Sequence, residues 1–359
     1  MLWKRKSGPN AKPDVPFLRN KNRKHFRQIL LVLFLFLFVT LSLQSISLHT
    51  QRLEKRLAHH TGQKIRRQSN VHCSNLKRIK ICSHQILNPP GSGSDGSLQA
   101  MTSLWNEGIH CFDVDAVTLK SGELLAAHPS RFAAKIQEYD TKQSNVKPQD
   151  FTLEDARKAG VNEEAFPLLN TLFNHYASLL KQQQQGAPFF SEQNQNSLEG
   201  PLLNIDLKGP HLTESHLQSI QKSVKNLGIQ NNVAIVATSL EDGQLGPGVD
   251  ILRYFEQSND IPLGLVLRDR ETQDWDMNQI QSIVKQNQAI RLFVPSFKFK
   301  ISWFDKLQKN MRLPVVVWTV DDKEDLIHAV KGGVSAVVSN HPLKLVNILT
   351  GLLEEKCNV

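Results

Sequence analysis

The residues best placed to do chemistry lie between Cys111 and Phe132, in CFDVDAVTLKSGELLAAHPSRF. Phe112, Val114 and Ala116 alternate with Asp113, Asp115 and Val117, the period of an extended strand. Two carboxylates two residues apart in a strand point to the same side. Such like charges repel unless a proton or cation lies between them, and a hard divalent cation with oxygen ligands is the economical choice. Ser121-Gly122 is a turn signal, and Leu124 to Ala127 resumes as a second strand that returns His128 towards the acids. Asp-x-Asp alone would ordinarily be a solvated surface pair, since charged side chains are mostly exposed. Two other stretches change the balance. Ser83-His84 closes an upstream strand, and Asp206 stands in the apolar run LLNIDLK, 202–208, followed two residues later by Lys208. A charge inside such a strand is costly unless it is paired or binds a metal.

These positions are far apart in sequence, so the elements must gather them. Strands are expected near 80, 111, 202, 233, 263, 290, 315 and 335, with helical segments between most of them. A helix is expected from Leu98 to Gly108. Thr152, followed by acids, signals another start, and Pro167 is expected to open a helix within 166–180. Residues 181–200, with QQQQ, read as a flexible insertion. Eight strand–helix units over about 280 residues fit a (β/α)8 TIM-type barrel spanning 76–353. A doubly wound sheet is the competitor. In a barrel, chemistry sits at the C-terminal ends of strands. That rule brings His84, Asp113, Asp115, Asp206 and Lys208 to one mouth, with Trp318 near the end of the seventh strand as a stacking wall or a core aromatic.

Ahead of the barrel, residues 29–48, ILLVLFLFLFVTLSLQSISL, match one bilayer span. They follow 28 residues rather than a short basic cap, so an uncleaved transmembrane signal anchor is expected. Residues 1–28 carry nine Lys/Arg and residues 49–67 carry six, each with one acid. The positive-inside rule then makes 1–28 a cytosolic tail, 49–75 a stalk, and the chain a single-pass type II protein whose body is lumenal (Golgi or endoplasmic reticulum) or extracellular. The formal charge of +9 belongs to these flanks, and residues 68–359 are about −4. A nucleic-acid-binding body should itself be basic, so nucleic acid is excluded as a partner. The basic flanks instead suit anionic headgroups. Cys73, Cys82, Cys111 and Cys357 form no CxxC pair, which disfavours zinc. Cys73 and Cys82 could bridge in an oxidising lumen, free buried thiols being the alternative, and Cys111 reads as a small buried hydrophobe.

With these residues in hand, the chain from about Ile79 to Leu349 resembles the glycerophosphodiester phosphodiesterases, within the phospholipase-C-like barrel phosphodiesterases. The marks that carry the resemblance run in order. They are His84, Asp113-Val114-Asp115, His128, Phe151-Thr152-Leu153-Glu154-Asp155, Phe166-Pro167-Leu168-Leu169, Asp206-Leu207-Lys208, Trp318-Thr319-Val320, and GVSAVV from Gly333 before His341-Pro342. The resemblance implies that Asp113, Asp115 and Asp206 ligate a divalent cation, Mg²⁺ or Ca²⁺. It implies that His84 and His128 are the catalytic pair, in an order it leaves open, and that Lys208 is a basic substrate-binding residue. Asp113 and Asp206 stand where the family usually has Glu. Gln85-Ile86 replaces the family's Arg-Gly after its first histidine, so the phosphate-holding Arg is absent. Lys208 or a loop residue such as Arg131 could compensate, although Lys lacks the bidentate fork.

The expected function is therefore metal-dependent hydrolysis of a glycerophosphodiester or lysophospholipid-like substrate by histidine acid/base catalysis. Two alternatives stand beside it. One is a non-catalytic membrane-tethered barrel that binds a phosphorylated ligand or partner, motivated by the missing Arg. The other is a Golgi type II glycosyltransferase using Asp113-Val114-Asp115, whose outline of anchor, stalk and Asp-x-Asp this chain shares.

Overall fold

The computed structural model describes residues 71–87, 95–142, 145–183, 200–208, 212–241, 244–245, 254, 261–267, 277–296 and 298–357. They belong to one compact unit, Arg67–Val359. The expected tail and anchor (1–48), most of the stalk and residues 184–199 of the insertion lie outside the described residues. Among the described residues no helix is long and apolar enough to cross a membrane.

The body is a parallel barrel. Its strands are β1 (Lys80–His84), β2 (Cys111–Thr118), β4 (Leu202–Lys208), β5 (Val233–Glu241), β7 (Leu263–Leu267), β8 (Ile290–Pro295), β9 (Val316–Trp318) and β10 (Ala336–Ser339). The sheet runs β8-β7-β5-β4-β2-β1-β10-β9. Parallel bridges Phe293–Val315 and Ser296–Trp318 join its two ends. Chain order thus follows sheet order with no reversal, which rules out the doubly wound competitor, whose strand order reverses at a switch point. Two short strands hang on the rim: β3 (Leu124–Ala126) against β2, and β6 (Gln244–Leu245) against β5, both antiparallel.

Alternation along the strands sorts side chains to two sides. Cys82, Cys111, Leu202, Ala234, Val236, Val266, Leu292, Val294, Val316, Ala336 and Val338 form one buried cluster, the barrel interior. The other strand face packs against helices, with Ile81, Phe112, Ile205, Leu265 and Phe293 meeting Leu104, Phe173, Leu217, Phe304 and Leu326. Strands covered on both faces read as continuous apolar runs, which is why Asp206 stood out in its strand.

The helices are α1 (Cys73–Arg78), α2 (Leu98–Asn106), α3 (Pro129–Tyr139), α4 (Leu153–Lys158), α5 (Leu169–Gln182), α6 (Glu214–Leu227), α7 (Met277–Gln286), α8 (Ile301–Met311), α9 (Lys323–Lys331) and α10 (Pro342–Cys357). Thr152 caps α4 in a capping box with Asp155, as its spacing predicts. Helix α5 starts later than expected: Leu168 is its N-cap and Pro167 lies outside, its carbonyl accepting from Ala126 N at 2.9 Å. Residues 73–75, read as the end of a stalk, instead open α1.

The cysteine reading needs correction. Cys73 is bonded to Cys357 and Cys82 to Cys111, and all four cysteines are paired. The proposed Cys73–Cys82 bridge gave way because Cys82 points into the barrel and Cys73 opens an outer helix. Cys111 is buried, as expected, but as half of a bridge between adjacent strands rather than as a free thiol.

Candidate active site

The strand period carries chemistry up from the interior cluster. Two residues beyond Cys82, Cys111 and Leu202 stand His84, Asp113 and Asn204. Asp115 and Asp206 come next, then Lys208. The register sets them side by side, with His84 opposite Asp113, Asp113 opposite Asn204, and Asp115 opposite Asp206. The C-terminal ends of three neighbouring strands thus present one polar patch above an apolar floor.

Asn204 Nδ2 donates to Asp113 Oδ1 at 2.5 Å, and Asp113 Oδ2 lies 4.0 Å from His84 Nε2. Lys208 Nζ is 3.3 Å from Asp115 Oδ1 and donates to Asp206 Oδ2 more closely still. The hairpin brings in His128 through backbone contacts: Ala116 pairs with Ala126, and Ala127 N donates to Asp115 O at 2.9 Å. His128 then caps α3, its Nδ1 accepting from Ser130 N at 3.2 Å and lying 2.7 Å from Ser130 Oγ.

The site is electrostatically tense. Burial pushes the Asp206 carboxyl up to about 7, against the pull of Lys208 and with help from Asp115 and Asp113. Burial also raises Asp113; His84 opposes the rise and Asp115 adds to it. Burial would lower the Lys208 ammonium, but Asp206 and Asp115 outweigh it and hold the group above its ordinary value. His128 is held below its ordinary value by burial, which outweighs the attraction of Asp115, while Lys208, His84 and Arg131 add to the lowering.

The three acids are of the type a hard cation takes, but two of them are already paired with Lys208. Asp115 Oδ2 and the neighbouring Asn204 Oδ1 are buried without a hydrogen-bond partner. Lys208 pairs with the other oxygen of Asp115 and with Asp206. Among the described residues no group of three or more His, Cys, Asp or Glu side chains is disposed to hold a metal ion.

The remaining expected residues have other contacts. Trp318 is half-buried against the interior cluster, its Nε1 donating to Val294 O at 3.0 Å. It lies at the rim of the floor rather than beside the histidines' strands. Arg131 is engaged elsewhere: Nη2 donates to Ala165 O at 2.7 Å and the guanidinium lies 4.6 Å from the Phe166 ring centroid. Gly96, at φ +75°, permits this, since a Cβ there would sit 1.9 Å from Arg131 Nη1. Gln85 and Ile86, where the resemblance would have Arg-Gly, both adopt positive φ, 52° and 54°. For a β-branched residue that backbone is strained, and burial of the Ile86 side chain holds it there.

Sequence reasoning passed over Asn204, although strand alternation from Asp206 pointed to it. It also passed over Asn340 and Asp321. Asn340 touches His84 and is held by Asp321. The available signals were adjacency, of Asn340 to the His341-Pro342 mark and of Asp321 to Trp318-Thr319-Val320.

The sequence matches no established family profile. No curated protein matches it either. Its solved structural neighbours are informative. A protein from Galdieria sulphuraria named as a glycerophosphodiester phosphodiesterase aligns with TM-score 0.57 at 18% identity, over 76% of this chain and 98% of its own. A glycerophosphodiester phosphodiesterase from Parabacteroides distasonis aligns with TM-score 0.51 at 14% identity, over 77% and 98%. An Oleispira antarctica phosphodiesterase, in complex with its product sn-glycerol-3-phosphate, aligns with TM-score 0.51 at 13% identity, over 76% and 96%. The resemblance read from the ordered motifs is thus borne out at the level of the fold, which is that of the glycerophosphodiester phosphodiesterases.

Proposed function

We propose that this chain is a phosphoric diester hydrolase that cleaves a glycerophosphodiester or lysophospholipid-like substrate at the barrel mouth. What supports the reading is that His84, Asp113, Asp115, Asp206 and Lys208 stand at neighbouring strand ends, with the hairpin carrying the chain just before His128 against Asp115. One imidazole takes the proton of the attacking hydroxyl, that of the neighbouring glycerol carbon or of water. The new P–O bond forms as the opposite one breaks, and the other ring, as an imidazolium, gives a proton to the departing alkoxide and is left neutral. Lys208 sets positive charge beside the phosphoryl oxygens, as a point charge where the family uses a fork. Trp318 serves as an apolar wall for the substrate's non-polar part. A divalent cation, Mg²⁺ or Ca²⁺, would be held by Asp113, Asp115 and Asp206 and would polarise the phosphoryl oxygens.

The test is turnover of a panel of glycerophosphodiesters and lysophospholipids by the full-length chain, with and without chelator. Turnover that chelator abolishes and His84→Ala removes is expected. Metal binding without turnover of any diester would favour the second reading, a non-catalytic barrel binding a phosphorylated ligand. One observation favours that alternative: Gln85 Nε2 lies 3.3 Å from His84 Nε2, where it donates into the nitrogen a base would use. The glycosyltransferase alternative draws no support from the structural neighbours.

The same proposal places residues 29–48 in a membrane with the barrel in a lumen or outside the cell. Their composition supports it, as do two disulfides, which persist in oxidising compartments. Release of the full-length chain by alkaline carbonate would count against the anchor.

A further inference from the structure

His84 does not stand alone at the mouth. Its Nδ1 lies 2.7 Å from Asn340 Oδ1. Asn340 Nδ2 donates to Asp321 Oδ2 at 2.7 Å, and Asn340 N donates to Asp321 Oδ1 at 2.8 Å. Ser339 Oγ donates to the same Oδ1 at 2.9 Å. Farther along α10, Lys344 Nζ reaches Asp321 O at 3.1 Å. Asp321 follows strand β9 and Asn340 follows β10, which is paired with β1 through Ser83 and Ser339. Three consecutive strands of the barrel wall thus contribute one link each.

The chemistry of the links has a direction. An ionised carboxylate only accepts, so Asp321 obliges the Asn340 amide to turn its NH2 towards it. The amide oxygen then faces His84 and also only accepts. His84 must therefore carry its neutral-state proton on Nδ1, and Nε2 is left with a lone pair. That Nε2 is the atom facing Asp113 and the Gln85 amide NH2. His128 is locked the other way: Ser130 N–H donates to its Nδ1, so its neutral ring carries the proton on Nε2.

We propose that Asn340 and Asp321 are positioning residues that hold His84 in its Nδ1–H tautomer, with Nε2 free to act as the proton acceptor of the pair. The acceptor role rests on the phosphodiesterase reading; the tautomer does not. In Asp321→Asn the replacement amide can keep accepting from Asn340 N and Ser339 Oγ while turning its NH2 to the Asn340 side chain. The Asn340 amide then reverses, presents NH2 to His84 Nδ1, and inverts the tautomer without removing a contact.

Two readouts decide the matter on the full-length chain. The first is the 15N ring pattern of His84, assigned by its loss in His84→Gln. The wild type should show the Nδ1–H pattern and Asp321→Asn the Nε2–H pattern, with Asn340→Leu giving a mixture. The second is kinetic: in Asp321→Asn, kcat on a glycerophosphodiester should fall about 100-fold or more with KM changed less than about threefold. An Nε2–H pattern in the wild type overturns the proposal whether or not the variants fold. So does an unchanged Nδ1–H pattern in both folded variants. Absence of wild-type turnover with the expected ring patterns would remove the phosphodiesterase reading and the acceptor role, and leave the relay standing.

Discussion

A buried carboxylate beside two others is costly to keep charged, and Asp206 shows how that cost depends on pH. Its folded carboxyl titrates at about 7 instead of the ordinary 3.8. Between those values the folded chain keeps a proton that the unfolded chain has released. This group's contribution to stability is therefore greatest at and below about pH 4 and is lost as the pH rises through 7. Asp113 acts in the same direction, and burial is the largest cause for both. Asp206→Asn should thus gain on the wild type as pH rises, by about 1–3 kcal/mol at pH 8 and by nearly nothing at pH 4. Urea unfolding at both pH values in ion-free buffer measures it, and an equal effect at the two would count against the assignment. The histidines make a different prediction: His84→Ala and His128→Ala should each lower kcat/KM for a diester by about 10²–10⁴ with little change in melting temperature. A loss under threefold for either would remove that ring from the chemistry. At this scale the sequence was legible where a residue type was out of place in its strand, as with Asp113, Asp115 and Asp206. Asn204 and Asn340 were not, because a neutral amide in or after an apolar strand looks unremarkable until its partner is known.

At the scale of elements, β1 and β2 carry both the chemistry and the bridge beneath it. Cys82 and Cys111 lie two residues before His84 and Asp113 respectively, so the bond ties the two strands one step below the site. Replacing both by Ala should cost about 2–4 kcal/mol, read as a shifted urea midpoint. It should also raise KM or lower kcat, since His84 and Asp113 lose a fixed spacing; unchanged kinetics would show that hydrogen bonding alone holds the register. Gly264 in β7 tests the barrel floor. A Cβ there would meet Val236 Cγ2 at 2.7 Å and Val294 Cγ2 at 3.2 Å, both in the interior cluster. Gly264→Ala should destabilise by about 1–3 kcal/mol through overpacking, and a neutral result would mean that the interior has slack. Alternation and turn chemistry made β2, the Ser121-Gly122 turn and the return strand readable in advance. The α5 start was misplaced because Pro167 looked like a first helical residue. Its carbonyl instead serves the rim of β3, a tertiary use that local propensity cannot reveal.

Across the whole molecule, the barrel was legible because strand–helix alternation at regular spacing leaves few ways to bury every strand on both faces. The cysteine pairing was not, since it depends on which faces meet after folding: Cys73 and Cys82 are near in sequence and on opposite sides of the barrel wall. The observed partner of Cys73 is 284 residues away. Helix α1 lies against α10, and Asn75 Nδ2 donates to Val330 O at 3.1 Å, so the beginning and end of the barrel are packed as well as bonded.

That long cross-link makes a covalent ring of nearly the entire barrel. A single cut by a protease anywhere between Cys111 and Cys357 produces two pieces that sulfur still holds together. A nicked chain should run as one band on a denaturing gel without reductant and as two with it. Such a ring can lose the continuity of its backbone without losing any of its parts, so a break in residues 184–199, between the hairpin and the third barrel strand, should leave hydrolysis measurable until a thiol is added.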